Sequence, residues 1–442
     1  MERDLLAQLT LWKDKENRKP LILKGARQVG KTHLLKTFGT RSFPSSHYFN
    51  FERQPELREI FELDFNPHRI VRELELIQNL AINPANDLVI FDEIQDCPKA
   101  LTSLKYFSEE LPALALCAAG SLLGLSLTPA SFPVGKVEFL TLFPLSFFEM
   151  LAAAGEEMLA KHLRTSSLGE LSSALHPKLW DYTKAYFITG GLPEVVQLWV
   201  TQRNDPLTAY PAVRELQENL LLSYQADIAK HSGKQNSMHI ERLWRNVPEQ
   251  LAREQNTSAN KFVFKDVIPG IRGYERLAGV IDWLEKAGLI LRVPIVNRAE
   301  LPLAAYTKEN TFKLYHFDIG LLGAMARIPY QSILKYNYGI YKGYFAENFV
   351  AQELTTAGVP LFSWREKELE LEFLATIGAE IIPIEVKSAA NQRSRSFSNY
   401  YKRYAPPHGV ILSGMPPKPL SPSSNAYHLP LYMAYSVTKS RV

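Results

Sequence analysis

Apolar and polar positions along the 442-residue chain change period several times, and each change marks an element. Near the start, the apolar run of "PLILKGARQVGKTHLLKTF" leads into a glycine-bearing turn and then a helical pattern. In "NDLVIFDEIQDC" Leu88 to Phe91 are apolar at every position, as a parallel strand covered on both faces requires. A further strand is predicted in "ALALCAAGS". Buried strands alternating with helices predict an α/β domain over residues 1–155.

From 156 to 230 the period is helical, with "YTKAYFITGGLPEVVQLW" broken by Gly190, Gly191 and Pro193. In "YERLAGVIDWLEKAGLILRVPIV", Leu277, Ile281 and Leu284 recur at helical spacing, Gly288 is a good terminator, and a strand-like run follows. Helices followed by a β-ribbon predict a winged-helix domain over 231–330. Such a fold often lays a helix in the DNA major groove, and it serves equally as a rigid spacer. In 331–442, "KGYFAENFVAQELTTAG" reads as a helix with Glu347 on the face of Val350, Ala351 and Leu354. "WREKELELEFLA" and "IIPIEVKSAA" alternate as strands around a hairpin turn in "TIGAE". Alternation puts Glu368, Glu370 and Glu372 on one face of the first strand, and Glu385 and Lys387 on one face of the second.

Charge is uneven. The chain carries +4 overall, yet from residue 386 onward Lys387, Arg393, Arg395, Lys402, Arg403, Lys418, Lys439 and Arg441 face no acid at all. In "NQRSRSFSNYYKRY" bases alternate with Phe397, Tyr400, Tyr401 and Tyr404, a composition that suits phosphate contacts and base stacking. The plainer reading is a helix that packs its aromatics on the sheet and leaves its basic face in water, and the two are compatible. Cys97 and Cys117 are too few for a disulfide framework, and no spacing suggests zinc. No run of about 18 uncharged apolar residues appears, so no membrane partner is expected. A charged start without a secretory signal predicts a cytoplasmic location.

Gly25, Ala26, Arg27, Gln28, Val29, Gly30, Lys31 and Thr32 fit the phosphate-loop pattern G-x-x-x-x-G-K-[ST] in full. Glycines let backbone N–H groups approach phosphate oxygens, and the following helix N-terminus adds partial positive charge. Lys31 is the expected partner of the β- and γ-phosphates of ATP, and Thr32 a ligand of Mg²⁺. Asp92 and Glu93 end a buried strand at the edge where open α/β sheets bind ligands. Asp92 is expected in the Mg²⁺ shell, Glu93 as the group that polarises water, and Ser121 near the γ-phosphate. These residues resemble the AAA+ ATPases. The order of "NFER", "FDEIQ", "AAGSLLGL" and "FPVGKVEFLTLFPLSFFEML" resembles a group of bacterial and archaeal members with a C-terminal domain of unknown function. The resemblance implies a helical lid over 156–230. Many members have Arg where this chain has Lys136, so no arginine finger is assigned and a homo-oligomer stays open.

A helix acid, an acidic strand and then Glu-x-Lys resemble the PD-(D/E)xK nuclease superfamily. That resemblance implies Glu347, Glu372 and Glu385 as ligands of a second divalent metal and Lys387 as a catalytic lysine. Where the superfamily usually has Asp, this chain has Glu372. The expected protein is an ATPase coupled to a DNA-related, nuclease-like domain, with DNA bound through the basic block. The alternative is a nucleotide-dependent switch whose C-terminal domain binds a protein partner. A small-molecule kinase would share the phosphate loop but leaves the basic block without a role.

Overall fold

The computed structural model describes residues 1–121, 133–166, 171–232, 234–254, 262–264, 267–271, 273–388, 395–418 and 426–439. Glu2–Phe143 form most of one compact unit, and Pro144–Glu285 with Leu289–Val442 most of another.

The first unit is a parallel sheet of β1 (Leu21–Gly25), β2 (Ser46–Asn50), β3 (Leu88–Asp92), β4 (Ala115–Ser121) and β5 (Glu138–Thr141), in the order β2-β3-β4-β1-β5. All five positions of β3 and all seven of β4 are buried, which explains their unbroken apolar runs. Parallel pairing brings the carboxyl ends together: Gly25 lies beside Ser121, and Asn50 beside Asp92. Phe91 anchors this edge from below, with the rings of Phe49, Phe51, Phe61 and Phe107 between 5.5 and 6.2 Å away at steep angles. Each such contact contributes about 0.5–1.5 kcal/mol beyond area burial. The residue that follows Phe91, Asp92, therefore stands on a rigid base.

In the second unit, helices Glu157–Thr165, His176–Thr189, Pro193–Gln202 and Pro206–Ser232 fill the stretch expected to be helical. Helix Tyr274–Lys286 buries Leu277, Ile281 and Leu284, as its spacing predicts. The β-ribbon after it behaves differently from a free wing. β6 (Ile290–Val296) and β7 (Thr307–His316) pair antiparallel, but β6 also runs parallel to β8 (Leu361–Glu366) through Ile295 and Val296. With β9 (Leu369–Ile377), β10 (Glu380–Lys387), β11 (Gly409–Ser413) and β12 (Ala426–Pro430) they make one seven-stranded sheet, ordered β12-β11-β10-β9-β8-β6-β7. The line expected at residue 330 between two domains thus runs through this sheet. The ribbon's second edge needs hydrogen-bond partners, and β8 supplies them.

The hairpin expected at "TIGAE" is present: Ile377 pairs with Glu380, and Gly378 takes a left-handed φ of 63°. Helix Tyr341–Thr356 buries Val350, Ala351 and Leu354 completely. Helix Arg395–Tyr404 packs Phe397 and Tyr400 into a core with Trp364, Leu371 and Ile411, with Tyr401 and Tyr404 against its rim. Of the two expectations for these aromatics, packing on the sheet is the one observed. Both cysteines are free and buried. Among the described residues no helix is long and apolar enough to cross a membrane.

Candidate functional site: a phosphate loop and a buried charge cluster

The loop after β1 turns where side chains would obstruct. At Gly25 a Cβ would lie 2.4 Å from the Leu142 carbonyl oxygen. Gly30 holds φ 92° at the junction with helix Lys31–Ser42, a conformation that L side chains rarely adopt. Gln28 is also left-handed, at φ 64°. Ala26 and Val29 are buried, and Arg3 braces the loop from behind by donating to the Val29 carbonyl at 2.9 Å. Lys31 is only 8% exposed, and its ammonium donates to the carbonyls of Gly25 at 3.1 Å and Ala26 at 2.8 Å. Burial lowers its pKa to about 8, against the pull of Glu93 and Asp92. An ammonium held by neutral carbonyls alone is available to an incoming anion.

Asp92 is 2% exposed and receives four donors, from the loop's helix, from β2 and from the backbone that follows it. Its Oδ2 accepts from the Thr32 hydroxyl at 2.8 Å, the Tyr48 hydroxyl at 2.6 Å and the Asn50 amide at 3.3 Å. Its Oδ1 accepts the Glu93 backbone N–H at 3.1 Å. A hydroxyl and a carboxylate in contact are the hard oxygen donors that Mg²⁺ requires. Glu93 sits at φ 51°, a strained conformation for glutamate, and its carboxylate accepts from the Gln95 side chain. Burial raises the Glu93 pKa, while the Gln95 hydrogen bond and Lys31 pull the other way. Burial also pushes the Tyr48 phenol up to about 12, so it stays a donor. Ser121 is buried at the end of β4. Lys136 is half-exposed and pairs with Glu109 at 2.9 Å.

Sequence reasoning missed Tyr48, Asn50, Gln95 and Arg3. The first two had a usable signal, since they lie at the end of an apolar strand pattern just before "FER".

The second concentration of charge lies on the seven-stranded sheet. The β9–β10 register, continued one step beyond Ile384 and Phe373, sets Glu385 across from Glu372. Lys387 pairs with Glu385, which is 2% exposed. Glu372 accepts the Val386 N–H at 3.1 Å. From the helix, Glu347 accepts the Tyr315 hydroxyl at 3.0 Å. A residue that sequence reasoning overlooked completes the group. Lys313 on β7, 3% exposed, lies 2.6 Å from Glu370 and 3.7 Å from Glu347. Burial would lower the Lys313 ammonium, but Glu370 and its neighbours hold it well above the ordinary value. Lys387 is likewise raised against burial, by Glu372 and Glu385. Burial, then Glu385 and Glu347, push the Glu372 carboxyl well above the usual carboxylate range.

One oxygen is left over. Glu385 Oε2 is buried with no hydrogen-bond partner among the described residues. Even so, no group of three His, Cys, Asp or Glu side chains among the described residues is placed to hold a metal ion. The three expected ligands are split between separate partners, Glu347 with Tyr315 and Lys313, Glu372 with a backbone N–H, and Glu385 with Lys387. In this arrangement each of the three carboxylates already has a partner within the protein.

In the basic block, Arg403 pairs with Glu366 and lies 5.4 Å from the Tyr404 ring, while Arg395 and Lys402 are exposed. Arg393 and Arg441 lie outside the described residues.

Residues 17–151 match a family model described as an AAA domain. These residues are an AAA-type P-loop ATPase domain. The AAA domain's order of motifs agrees with the geometry of Lys31, Thr32 and Asp92. Residues 181–332 match a domain of unknown function, DUF8612, and residues 342–432 another, DUF4143. Lys313 falls in the first of these and the acids around it in the second. Among solved structures, the chain is similar to the Walker-type ATPase of Pyrococcus abyssi, at 15% identity and TM-score 0.46 over 74% of this chain and 95% of that one. It is also similar to the Thermotoga maritima RuvB Holliday junction branch migration motor, at 14% identity and TM-score 0.33 over 66% and 90%. The Aeropyrum pernix Orc1 protein in complex with DNA aligns at 13% identity and TM-score 0.30 over 75% and 92%. A search of curated proteins gave no match.

Proposed function

We propose that the AAA domain hydrolyses ATP and that its nucleotide state drives a nuclease-like C-terminal unit acting on or near DNA. The contact between Thr32 and Asp92 at 2.8 Å, beside the buried Lys31, carries the ATPase half. Bound ATP with Mg²⁺ supplies the γ-phosphoryl group and its charge compensation. Lys31 would offset phosphate charge, Thr32 and Asp92 would hold the ion, and Glu93 would take a proton from the attacking water. Gly25 to Gly30 let backbone N–H groups close on the phosphates.

For the C-terminal unit the support is the unpartnered Glu385 Oε2 beside Lys387 and Glu372, at the positions the nuclease resemblance singles out. No metal-dependent step is derived there. A second reading is favoured by the pairing of both Lys313 and Lys387 with carboxylates and by aromatics that face the sheet rather than solvent. In it the unit is a non-cleaving switch that binds a protein partner.

The deciding assay incubates DNA with the full chain in Mg²⁺ and in Mn²⁺, with and without ATP, alongside Glu385→Gln and Lys31→Ala. Cleavage lost in Glu385→Gln and dependent on ATP supports the first reading. Absence of cleavage in both metals ends it and leaves the switch.

A further inference from the structure

Tyr48 is the feature of the AAA domain that neither the motifs nor the expected roles absorb. It lies on β2, outside the phosphate loop and outside the strand that ends in Asp92 and Glu93. Its hydroxyl nevertheless approaches Asp92 Oδ2 to 2.6 Å, against 2.8 Å for Thr32 and 3.3 Å for Asn50. Asn50 also donates to the Tyr48 oxygen at 3.1 Å, so the two β2 side chains support each other.

The ring is held as well. The Lys36 ammonium stands 3.6 Å from the centroid of Tyr48. Lys36 lies one helical turn beyond Thr32, on the helix that the phosphate loop opens. Tyr48 thus joins the loop's helix, through its ring, to the Asp92 strand, through its oxygen.

We propose that Tyr48 is a positioning residue for the nucleotide's metal: it fixes the orientation of Asp92 so that the carboxylate meets Mg²⁺ already ordered. The chemistry follows from donor counting. A metal held by the Thr32 oxygen would use a lone pair of that hydroxyl and would draw on the same Asp92 carboxylate that accepts from it. Tyr48 and Asn50 would hold that carboxylate against swinging into another rotamer. Groups that orient a metal's ligands commonly set its affinity by about 10–100-fold. Lys36 acts one step further out, by keeping the ring in place.

The inference rests on Asp92 belonging to the metal shell, and the test separates the two. Mn²⁺ binding to the full chain with ADP is followed by electron paramagnetic resonance for the native protein, Tyr48→Phe, Lys36→Met and Asp92→Asn. Nucleotide affinity in excess EDTA and the melting temperature are measured on the same samples. Tyr48→Phe is expected to weaken Mn²⁺ by about tenfold. Its nucleotide affinity in EDTA and its melting should stay near native, which a merely structural role would not give. Lys36→Met is expected to weaken Mn²⁺ by about threefold. Mn²⁺ affinity within about twofold of native in Tyr48→Phe, with Asp92→Asn clearly weakened, overturns the proposal and spares the metal shell. Unchanged affinity in Asp92→Asn overturns both.

Discussion

Two lysine–carboxylate sites in this chain use the same residue types to opposite effect. In the AAA domain Lys31 donates to backbone carbonyls, and the Asp92 carboxylate is held by hydroxyls, an amide and an N–H. Opposite charges are close but not paired, so the ammonium and the carboxylate stay available to phosphate and metal. In the C-terminal unit Lys313 and Lys387 are paired directly with Glu370, Glu347 and Glu385. Charge there is largely spent within the protein. Neutral partners leave an ion-binding site open, whereas ionic partners close it.

The largest effects should come from breaking the open site. Glu93→Gln is expected to bind ATP and hydrolyse it about 10²–10⁴-fold more slowly, while Lys31→Ala should lose ATP binding. Steady-state hydrolysis and equilibrium binding check the pair, and normal turnover in Glu93→Gln would remove its role.

Breaking the closed site should cost stability. Lys313→Met leaves the largely covered Glu370 and Glu347 without their cation, a loss of at most about 3–5 kcal/mol. Urea unfolding of the full chain measures it. The half-exposed pair of Lys136 and Glu109 gives the contrast, since Lys136→Met should cost no more than about 1 kcal/mol. Equal costs for the two variants would contradict the distinction.

A pH series sharpens the comparison at smaller scale. Burial lowers Lys31 to about 8, so above that pH the amine is increasingly neutral before nucleotide binds. Phosphate favours the charged form, and binding must then draw a proton from solvent. ATP affinity should fall as pH rises through about 8, by at most ~tenfold per unit. Calorimetry in two buffers of different ionisation heat should register proton uptake there and none well below it.

The smallest effect expected is on nucleic acid. Replacing Arg395 and Lys402 with Ala should flatten the salt dependence of DNA binding by about two phosphate contacts. Arg403, tied to Glu366, should add less than either. This measurement belongs on the full chain. A fragment from about residue 335 would lack β6 and β7, leaving β8 paired on its β9 side alone and the acids without Lys313.

Much was legible in the sequence where a pattern is local. The octet from Gly25 to Thr32 dictates its turn because Gly30 takes a conformation few other residues tolerate. The run from Leu88 to Asp92 announces a strand buried on both faces, and Gly378 announces a hairpin. Glu347, Glu372, Glu385 and Lys387 were also legible as candidates for one site, because alternation fixes which face each occupies. The partners of Glu347 were not, since Tyr315 and Lys313 come from a strand far upstream.

What the sequence determined by itself is therefore the phosphate loop, its partner strand and the alternation of the last hairpin, each written in contiguous residues. Tertiary structure decided that Tyr48 and Asn50 donate to Asp92, that Arg3 donates to the Val29 carbonyl, and that β6 joins β8. It also decided that Lys313 sits among the acids of another family's segment. Periodicity states which face a side chain takes but not which strand will lie beside it. That choice is made by edge hydrogen bonds and buried charges seeking partners across the whole chain.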